Sequence, residues 1–397
     1  MKLKRIITNL WFSILASTCI LMFSCSEEAQ VSNEPDTEGQ ESEEQEVQIP
    51  SLNPQQAQSG VIRDITSATL VEEMGIGWNL GNSMDVEDRD KTFWGNPLPT
   101  KEMIDAIAER GFGTLRVPVT WGYHQGLAPD YTMETEFLDQ IQEIVDYALA
   151  NGMHTIINVH HDDPWMIPTY DMADEVGTRL GSLWSQVALR FKSYGDYLIF
   201  ETMNEPRHEG SAQEWLGGTA EGRDVVNQYH KISLDAIRAT GGNNEKRHVM
   251  IAPYSAAPYD VTMDALVIPN SDTNIIVSIH QYFPFEFTHE TPNGTFNWGS
   301  QQDRTDLRNA IDFIADKWVV QEKRPVVLGE WGTVDKNNAA ARRNHAEAFV
   351  EFAKDRGMLP IWWDNGLGDE FGVFDRNNIS WSRHDELVDV ILNTWYK

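Results

Sequence analysis

Cysteine is almost missing: the 397 residues hold Cys19 and Cys25 and no other. That excludes a disulfide-stapled scaffold and a cysteine-ligated zinc site. Basic residues are scarce beside acidic ones, 31 Lys and Arg against 61 Asp and Glu, giving a formal charge of −30. So acidic a chain lacks the basic footprint that grips phosphates, which excludes nucleic acid as a partner and an anionic membrane surface as the main ligand. A glycine-rich phosphate loop is also missing, because Gly75, Gly77 and Gly81 do not have the dinucleotide-binding spacing. No internal repeat and no low-complexity linker occurs after residue 60, so one domain is expected there.

What is plentiful is tryptophan, fourteen residues of it. Such rings serve either as large core anchors or as flat platforms for a ligand. The start of the chain has a separate character. Lys2, Lys4 and Arg5 precede a mostly apolar run over Ile6–Phe23. A basic start with a short apolar run reads as an export signal over residues 1–25, not as a stable membrane span. Leu21-Met22-Phe23-Ser24-Cys25 resembles a bacterial lipoprotein signal whose cysteine is lipidated after cleavage. Ser26-Glu27-Glu28 resembles the acidic surface-export tag of Bacteroidetes lipoproteins. The resemblance implies an outer-membrane surface lipoprotein that meets the membrane only through a lipid at Cys25; the alternative is a plain secreted protein. Residues 26–60 carry nine acids and no Lys or Arg. Such a stretch cannot bury enough surface to offset its ordering entropy, so it is expected to be a disordered tether. Residues 61–397 still carry −24 of the charge.

From residue 61 onward, short apolar runs alternate with amphipathic segments. The expected strands are Met74–Leu80, Thr114–Val119, Thr155–His160, Leu198–Met203, His248–Ala252, Ile275–His280, Pro325–Gly329 and Leu359–Trp363. Most are continuous apolar runs, as strands buried on both faces require. The expected helices are Lys101–Arg110, Glu134–Asn151, Thr178–Tyr194, Gly222–Ala239, Asp303–Val320, Ala339–Arg356 and Arg383–Tyr396. Thr100 suits a helix N-cap. Gly111, Gly152, Gly195, Gly241 and Gly357 each come after a helical run, where a left-handed cap favours glycine. Eight strands alternating with helices over about 330 residues predict an α/β fold, a (β/α)8 TIM barrel. A doubly wound open sheet is the alternative, disfavoured by the strand count and the missing phosphate loop.

Chemistry on a barrel collects at the C-terminal strand ends. Here those ends are polar throughout: Asn79–Asn82, Arg116, His160-His161-Asp162-Asp163, Asn204-Glu205-Pro206, His280-Gln281-Tyr282, Glu330-Trp331 and Trp363-Asp364-Asn365. A lone Glu at a strand end is ordinarily a strand meeting solvent. Two of them, on strands that face each other across a barrel, can flank a substrate. Paired carboxylates of that kind suit glycoside hydrolysis, one giving a proton to the leaving oxygen and the other attacking or activating water. Their separation, which decides between the two outcomes, is not in the sequence.

The strand-end motifs as an ordered set closely resemble glycoside hydrolase family 5, subfamily 4. They are Gly77-Trp78-Asn79-Leu80-Gly81-Asn82, Arg116-Val117-Pro118-Val119-Thr120-Trp121, Asn158-Val159-His160-His161, Phe200-Glu201-Thr202-Met203-Asn204-Glu205-Pro206, His280-Gln281-Tyr282, Gly329-Glu330-Trp331-Gly332 and Trp362-Trp363-Asp364-Asn365-Gly366. The resemblance covers essentially all of residues 61–397. It implies retention of configuration and β-1,4-glucan substrates: cellulose, mixed-linkage β-glucan or xyloglucan. It also implies Glu205 as acid/base, Glu330 as nucleophile and Asn204 on the sugar 2-hydroxyl. Arg116 and Tyr282 are expected against Glu330, and His280 against Glu205. His160 and His161 are expected on sugar hydroxyls, Trp363 under the reacting ring, and Asn82 in the binding cleft. No cofactor is expected, because two carboxylates suffice; oligomeric state is not readable.

Rival readings attach to the same residues. His160-His161-Asp162-Asp163 could ligate a metal, but neighbours along an extended segment point to opposite sides, so no metal is expected. Glu201 is expected to be structural, and His208 and Glu209 to face solvent. Trp94, Trp121, Trp165 and the aromatic run Phe283, Phe285, Phe287, Phe296 and Trp298 are either loop packing or sugar platforms. An endo-β-1,4-mannanase and a non-catalytic surface glycan-binding lipoprotein are the alternative functions. Both Glu residues being present disfavours the second, and the Gly-Trp-Asn-Leu-Gly-Asn and Trp-Trp-Asp-Asn-Gly runs disfavour the first.

Overall fold

The computed structural model describes residues 47–289, 294–381 and 383–397. The expected signal, Cys25 and the first part of the expected tether lie outside the described residues. Eight parallel strands close into a barrel in chain order. They are β1 (Gly77–Leu80), β2 (Thr114–Val117), β3 (His154–Asn158), β4 (Leu198–Glu201), β5 (Val249–Ile251), β6 (Ile275–His280), β7 (Val326–Trp331) and β8 (Leu359–Asp364). Nearly every strand residue is buried. That matches the continuous apolar runs, since one strand face meets the barrel interior and the other the helices. The long helices Lys101–Arg110, Thr135–Ala150, Ala173–Arg190, Ala220–Ala239, Gln301–Ala315, Ala339–Asp355 and Asp385–Tyr396 wrap the outside, and after β5 come short helical turns, Tyr254–Ala256, Asp260–Met263 and Pro269–Ser271, in place of a long helix.

Two expectations shift at the lower end of the barrel. Met74 is not the start of a strand; it ends the helix Ser67–Glu73. Leu70, Val71 and Met74 plug the floor by packing on Ile156, Ile199, Met250, Ile276 and Val327 from inside the barrel. The fold also begins earlier than residue 60. Asn53 caps a short helix, Pro54–Ala57, whose Ala57 is fully buried. The Gly60 carbonyl accepts from Asn243 Nδ2 at 2.8 Å. The acidic composition that suggested a tether up to residue 60 stops at Glu46; beyond it, Leu52 and Ala57 supply the apolar contacts that hold residues 47–60 against the barrel.

Thr100 caps its helix, with Oγ1 accepting from the Met103 amide. Gly111, Gly152 and Gly357 adopt positive φ as expected of left-handed caps; Gly241 also has positive φ, but its ψ of −166° is outside the left-handed helical region, and Gly195 has no positive φ. There the requirement is space: a Cβ would lie 2.6 Å from the Val61 carbonyl oxygen.

The floor carries stability rather than chemistry. Arg247 is fully buried and donates to the carbonyls of Phe191, Tyr194, Gly195 and Leu198 and to Asn244 Oδ1. It thereby closes the turn between the helix Ala173–Arg190 and β4. Arg247→Met removes all five of these buried hydrogen bonds and is expected to lower the unfolding free energy by about 3 kcal/mol or more, read by chemical denaturation. His154 and His248 sit nearby, each with a buried, partnerless Nε2. Burial lowers His154 to about 3 and His248 to about 4, against 6.5 unfolded. Their contribution is complete above pH 6.5 and is lost as pH falls toward those values, because the unfolded chain binds the protons first. The expected slope is about 1.4 kcal/mol per pH unit for each histidine. Denaturation between pH 7 and 4 should show a shallower slope for His154→Phe; an unchanged slope would sink this assignment.

Candidate active site

At the opposite end of the barrel, Arg116 on β2 stands at the centre. Its register partner on β1 is Asn79. The guanidinium is completely buried and has four acceptors. Nη1 donates to Asn79 Oδ1 at 2.8 Å and to Glu330 Oε1 at 2.9 Å; Nε donates to Glu201 Oε2 at 2.8 Å; Nη2 donates to Asn204 Oδ1 at 2.6 Å. Burial works against this cation, but Glu201 and Glu330 outweigh it and raise its pKa. Glu201, at the end of β4, also accepts from Asn158 Nδ2 and Ser278 Oγ. It is structural, as expected, and it fixes the cation that the site is built around. Asn79 Nδ2 donates to the Gly329 and Trp362 carbonyls, which ties β1 to β7 and β8.

Glu330 on β7 has one further hydrogen-bond donor and two histidines close by. Tyr282 donates its hydroxyl to Oε2 at 3.1 Å. His280 Nδ1 lies 3.6 Å from the same oxygen and 2.8 Å from Glu205 Oε1. His160 Nε2 lies 3.9 Å from Glu330 Oε1. Asn158 settles the tautomer of His160. Its Oδ1 accepts from the Val119 amide, so its Nδ2 is the group facing His160 Nδ1. His160 Nδ1 is then an acceptor, and Nε2 carries the proton. His280 reaches both carboxylates because the β6–β7 ladder shifts register between Ile279 and His280; such irregularities re-aim side chains beside sites. One oxygen of Glu205, one of Glu330 and a His280 ring nitrogen all lie within 4.8 Å of one another.

These three groups titrate as a unit. Burial raises Glu330 above the ordinary carboxylate range, opposed by His280 and Arg116. Glu205 is also penalised by burial, yet the His280 hydrogen bond pulls it below that range. Burial would lower His280, but the Glu330 and Glu205 charges raise it. A 2.8 Å bond between His280 Nδ1 and Glu205 Oε1 links the two groups, a path along which a proton can move. His160 and His161 are lowered, His161 to about 4, chiefly by burial. Both are neutral near pH 7 and suited to hydrogen-bonding hydroxyls.

Trp363 is half-buried at the end of β8, with its ring parallel to His160 at 5.6 Å. Gly81 makes room for it, since a Cβ there would fall 2.7 Å from the indole. Below it, Asp364 accepts from Arg376 and from the Gly366, Val373 and Phe374 amides. Asn82 takes a left-handed turn after β1, its amide held by Asp85 and its carbonyl by Asn96. Asn204 spends its Oδ1 on Arg116. Every predicted site residue thus lies at this end of the barrel.

Other expectations are corrected. Trp121 is no platform: it is fully buried and donates Nε1 to the Asn158 carbonyl. Phe287 and Trp298 are buried, whereas Phe285 and Phe296 stay exposed. Trp331 packs flat on Phe349 at 4.3 Å, a core contact. His160 and His161 do converge, but with Asp85, within 4.8 Å. Asp162 instead accepts from the Trp121 and Gly122 amides and from Trp165 Nε1. The alternation argument fails because β3 ends at Asn158 and the two histidines lie beyond it. The pairing of Arg207 with Asp163 was not anticipated. Arg207 Nη1 donates to Asp163 Oδ2 at 2.9 Å and lies 3.9 Å from Glu205 Oε2. Burial pushes Asp163 up to about 8. The only advance signal was Arg207's position directly after Glu205-Pro206.

Residues 79–369 match the cellulase family, glycosyl hydrolase family 5. The chain belongs to glycoside hydrolase family 5. It is 48% identical over 327 residues to Endoglucanase B of Clostridium cellulovorans, spanning 81% of this chain and 74% of that one. A solved family 5 subfamily 4 enzyme in complex with a cellotriose is 50% identical with a TM-score of 0.82, covering 84% of this chain and 99% of its own. A subfamily 4 broad specificity endoglucanase from Clostridium acetobutylicum is 43% identical with a TM-score of 0.80, covering 83% and 100%. In this family 5 barrel the buried guanidinium holds two carboxylates and two amides at once. Arg116→Lys keeps the charge but loses the fork, and is expected to lower kcat by about 10²-fold or more. Steady-state kinetics on a soluble β-glucan, with a melting curve as control, checks this.

Proposed function

We propose that the chain is a retaining endo-β-1,4-glucanase that cleaves plant cell-wall β-glucans. The observation that carries the mechanism is the approach of Glu205 and Glu330 oxygens within 4.8 Å. Inverting enzymes need about 6.5–9.5 Å between their carboxyls to admit a water, whereas retaining ones sit about 5–5.5 Å apart. Glu330 attacks the anomeric carbon as the glycosidic C–O bond breaks, and Glu205 delivers to the leaving oxygen the proton shared with His280. Arg116 and Tyr282 keep the attacking oxygens ionised and aimed, and Asn204 Nδ2 is placed for the 2-hydroxyl. Once Glu330 is esterified its charge is gone. Glu205 then takes a proton from water, whose oxygen displaces Glu330 and restores the original configuration. Trp363 offers its apolar face to the C–H face of the reacting ring.

Proton NMR of fresh hydrolysate should detect the β-anomer first; the α-anomer first would overturn the retaining assignment. Glu330→Gln is expected to lower kcat by about 10⁴-fold or more with little change in melting temperature. Comparing xyloglucan, mixed-linkage β-glucan, carboxymethylcellulose and mannan under one set of conditions reads the preference. Activity on all three glucans with none on mannan is the expected pattern, and it fits the broad specificity of the Clostridium acetobutylicum relative.

The reading includes export and a lipid at Cys25, supported by the basic and apolar start and the Ser26-Glu27-Glu28 sequence. Cys25→Ser should move the enzyme from the detergent phase to the aqueous phase on phase separation of whole cells. Unchanged partition would leave a plain secreted protein.

A further inference from the structure

Asp162 and Asp163 follow one another beyond β3, yet only the first is fully matched. Asp162 Oδ2 accepts from the Trp121 amide, and its Oδ1 from the Gly122 amide and Trp165 Nε1. The Asp163 side chain is 2% exposed and accepts one hydrogen bond, on Oδ2 from Arg207 Nη1 at 2.9 Å. Its Oδ1 is buried with no partner among the described residues. An acceptor left in that state costs about 1–3 kcal/mol. The loop does not need Asp163 as an anchor, because Asp162 already ties it to the segment after β2.

The nitrogen that Asp163 engages is the one that faces Glu205. Arg207 Nη1 lies 3.9 Å from Glu205 Oε2 and donates to the Glu205 carbonyl at 3.1 Å. Nε is tied to Glu214 Oε1 at 3.0 Å, so the guanidinium is held in place while the two carboxyls share its Nη1 edge. A charge on Asp163 then opposes a charge on Glu205 and draws the cation away from it. Burial lifts Asp163 to about 8 against the pull of Arg207, and the Glu205, Asp162 and Glu209 charges add to the rise. Asp163 is neutral below that value and charged above it. Its ionisation therefore falls beside Glu205 in the range where an acid most readily loses its proton.

We propose that Asp163 is a positioning residue for the acid step, competing with Glu205 for the Arg207 guanidinium so that glucan hydrolysis persists to higher pH. This rests on Glu205 being the acid/base. A charged Asp163 keeps the proton on the Glu205–His280 pair, both by holding the cation and by standing near as a like charge. Asp163→Asn has the shape of the neutral form and cannot acquire that charge. The basic limb of kcat/KM on mixed-linkage β-glucan should therefore move about half a pH unit toward acid, about a threefold loss along that limb. Asp163→Ala should give the same shift, because the charge and not the shape is what is lost. Arg207→Met removes the cation and should move the limb the other way. In that background Asp163→Asn should move it less than half as far, since without Arg207 the buried carboxyl stays neutral throughout. The other groups facing Glu205 are His280, His161, Glu330, Tyr282 and His289, and those facing Arg207 are Glu214 and Glu87; none is altered by these substitutions. A 2,4-dinitrophenyl β-cellobioside needs no acid, because its phenolate departs unprotonated while Glu330 forms the glycosyl bond, so its profile should not shift. Melting curves check that each variant is folded. An unmoved limb in both Asp163 variants, an equal shift on the aryl glycoside, or an undiminished shift in the Arg207→Met background would overturn the proposal. Glu205→Ala serves as reference: equal losses on the two substrates would remove the acid/base assignment instead, whatever Asp163 does.

Discussion

One buried guanidinium organises the upper half of this barrel. Arg116 is out of contact with water, and a charge in that position is tolerated only when its donors are matched. The matching draws Asn79 from β1, Glu201 from β4, Asn204 beyond β4 and Glu330 from β7 to one point. Arg116 therefore serves packing and chemistry together. It neutralises two carboxylates that would otherwise repel, and it fixes Glu330, the one proposed to attack. Glu201 never touches substrate in this arrangement, yet it holds the cation in place by a second ion pair, itself braced by Asn158 and Ser278.

Around that point the cleft divides into two supported sides. On one, the Asp364–Arg376 pair and the space at Gly81 set the plane of Trp363 beside His160. On the other, Arg207 binds Asp163, Glu214 and the Glu205 carbonyl and underlies Trp215. His280 stands between, touching both carboxylates because of a local register shift. The floor is built for a different task. There Arg247, the helix Ser67–Glu73 and two neutral histidines close the barrel without reaching the cleft. Stability at one end and chemistry at the other is the usual division in this fold.

Much of this was legible in the residues. Strand and helix alternate with the right periods, and polar residues interrupt the apolar runs where barrel strands end. Glu205, Glu330, Arg116, His280, Tyr282 and Trp363 could each be named in advance for that reason. The tryptophans were less readable. Trp78, Trp121, Trp184, Trp318, Trp331 and Trp362 are core residues, because an indole on or just after a strand, or on the inner face of a helix, is buried where helices and barrel pack together. The Arg207–Asp163 pair was missed because a loop has no period, and the two residues lie 44 positions apart.

The order of residues along the chain was enough for the alternation that makes a barrel, for the end of the barrel at which polar groups gather, and for the two glutamates among them. Those follow from periodicity and from apolar runs that must be buried. The distances came from the folded state alone. The approach of Glu205 and Glu330 within 4.8 Å, and the histidine between them, arise from barrel closure and from one displaced register on β6 and β7. No local pattern encodes such a separation, because it is the sum of eight strand pairings around a ring.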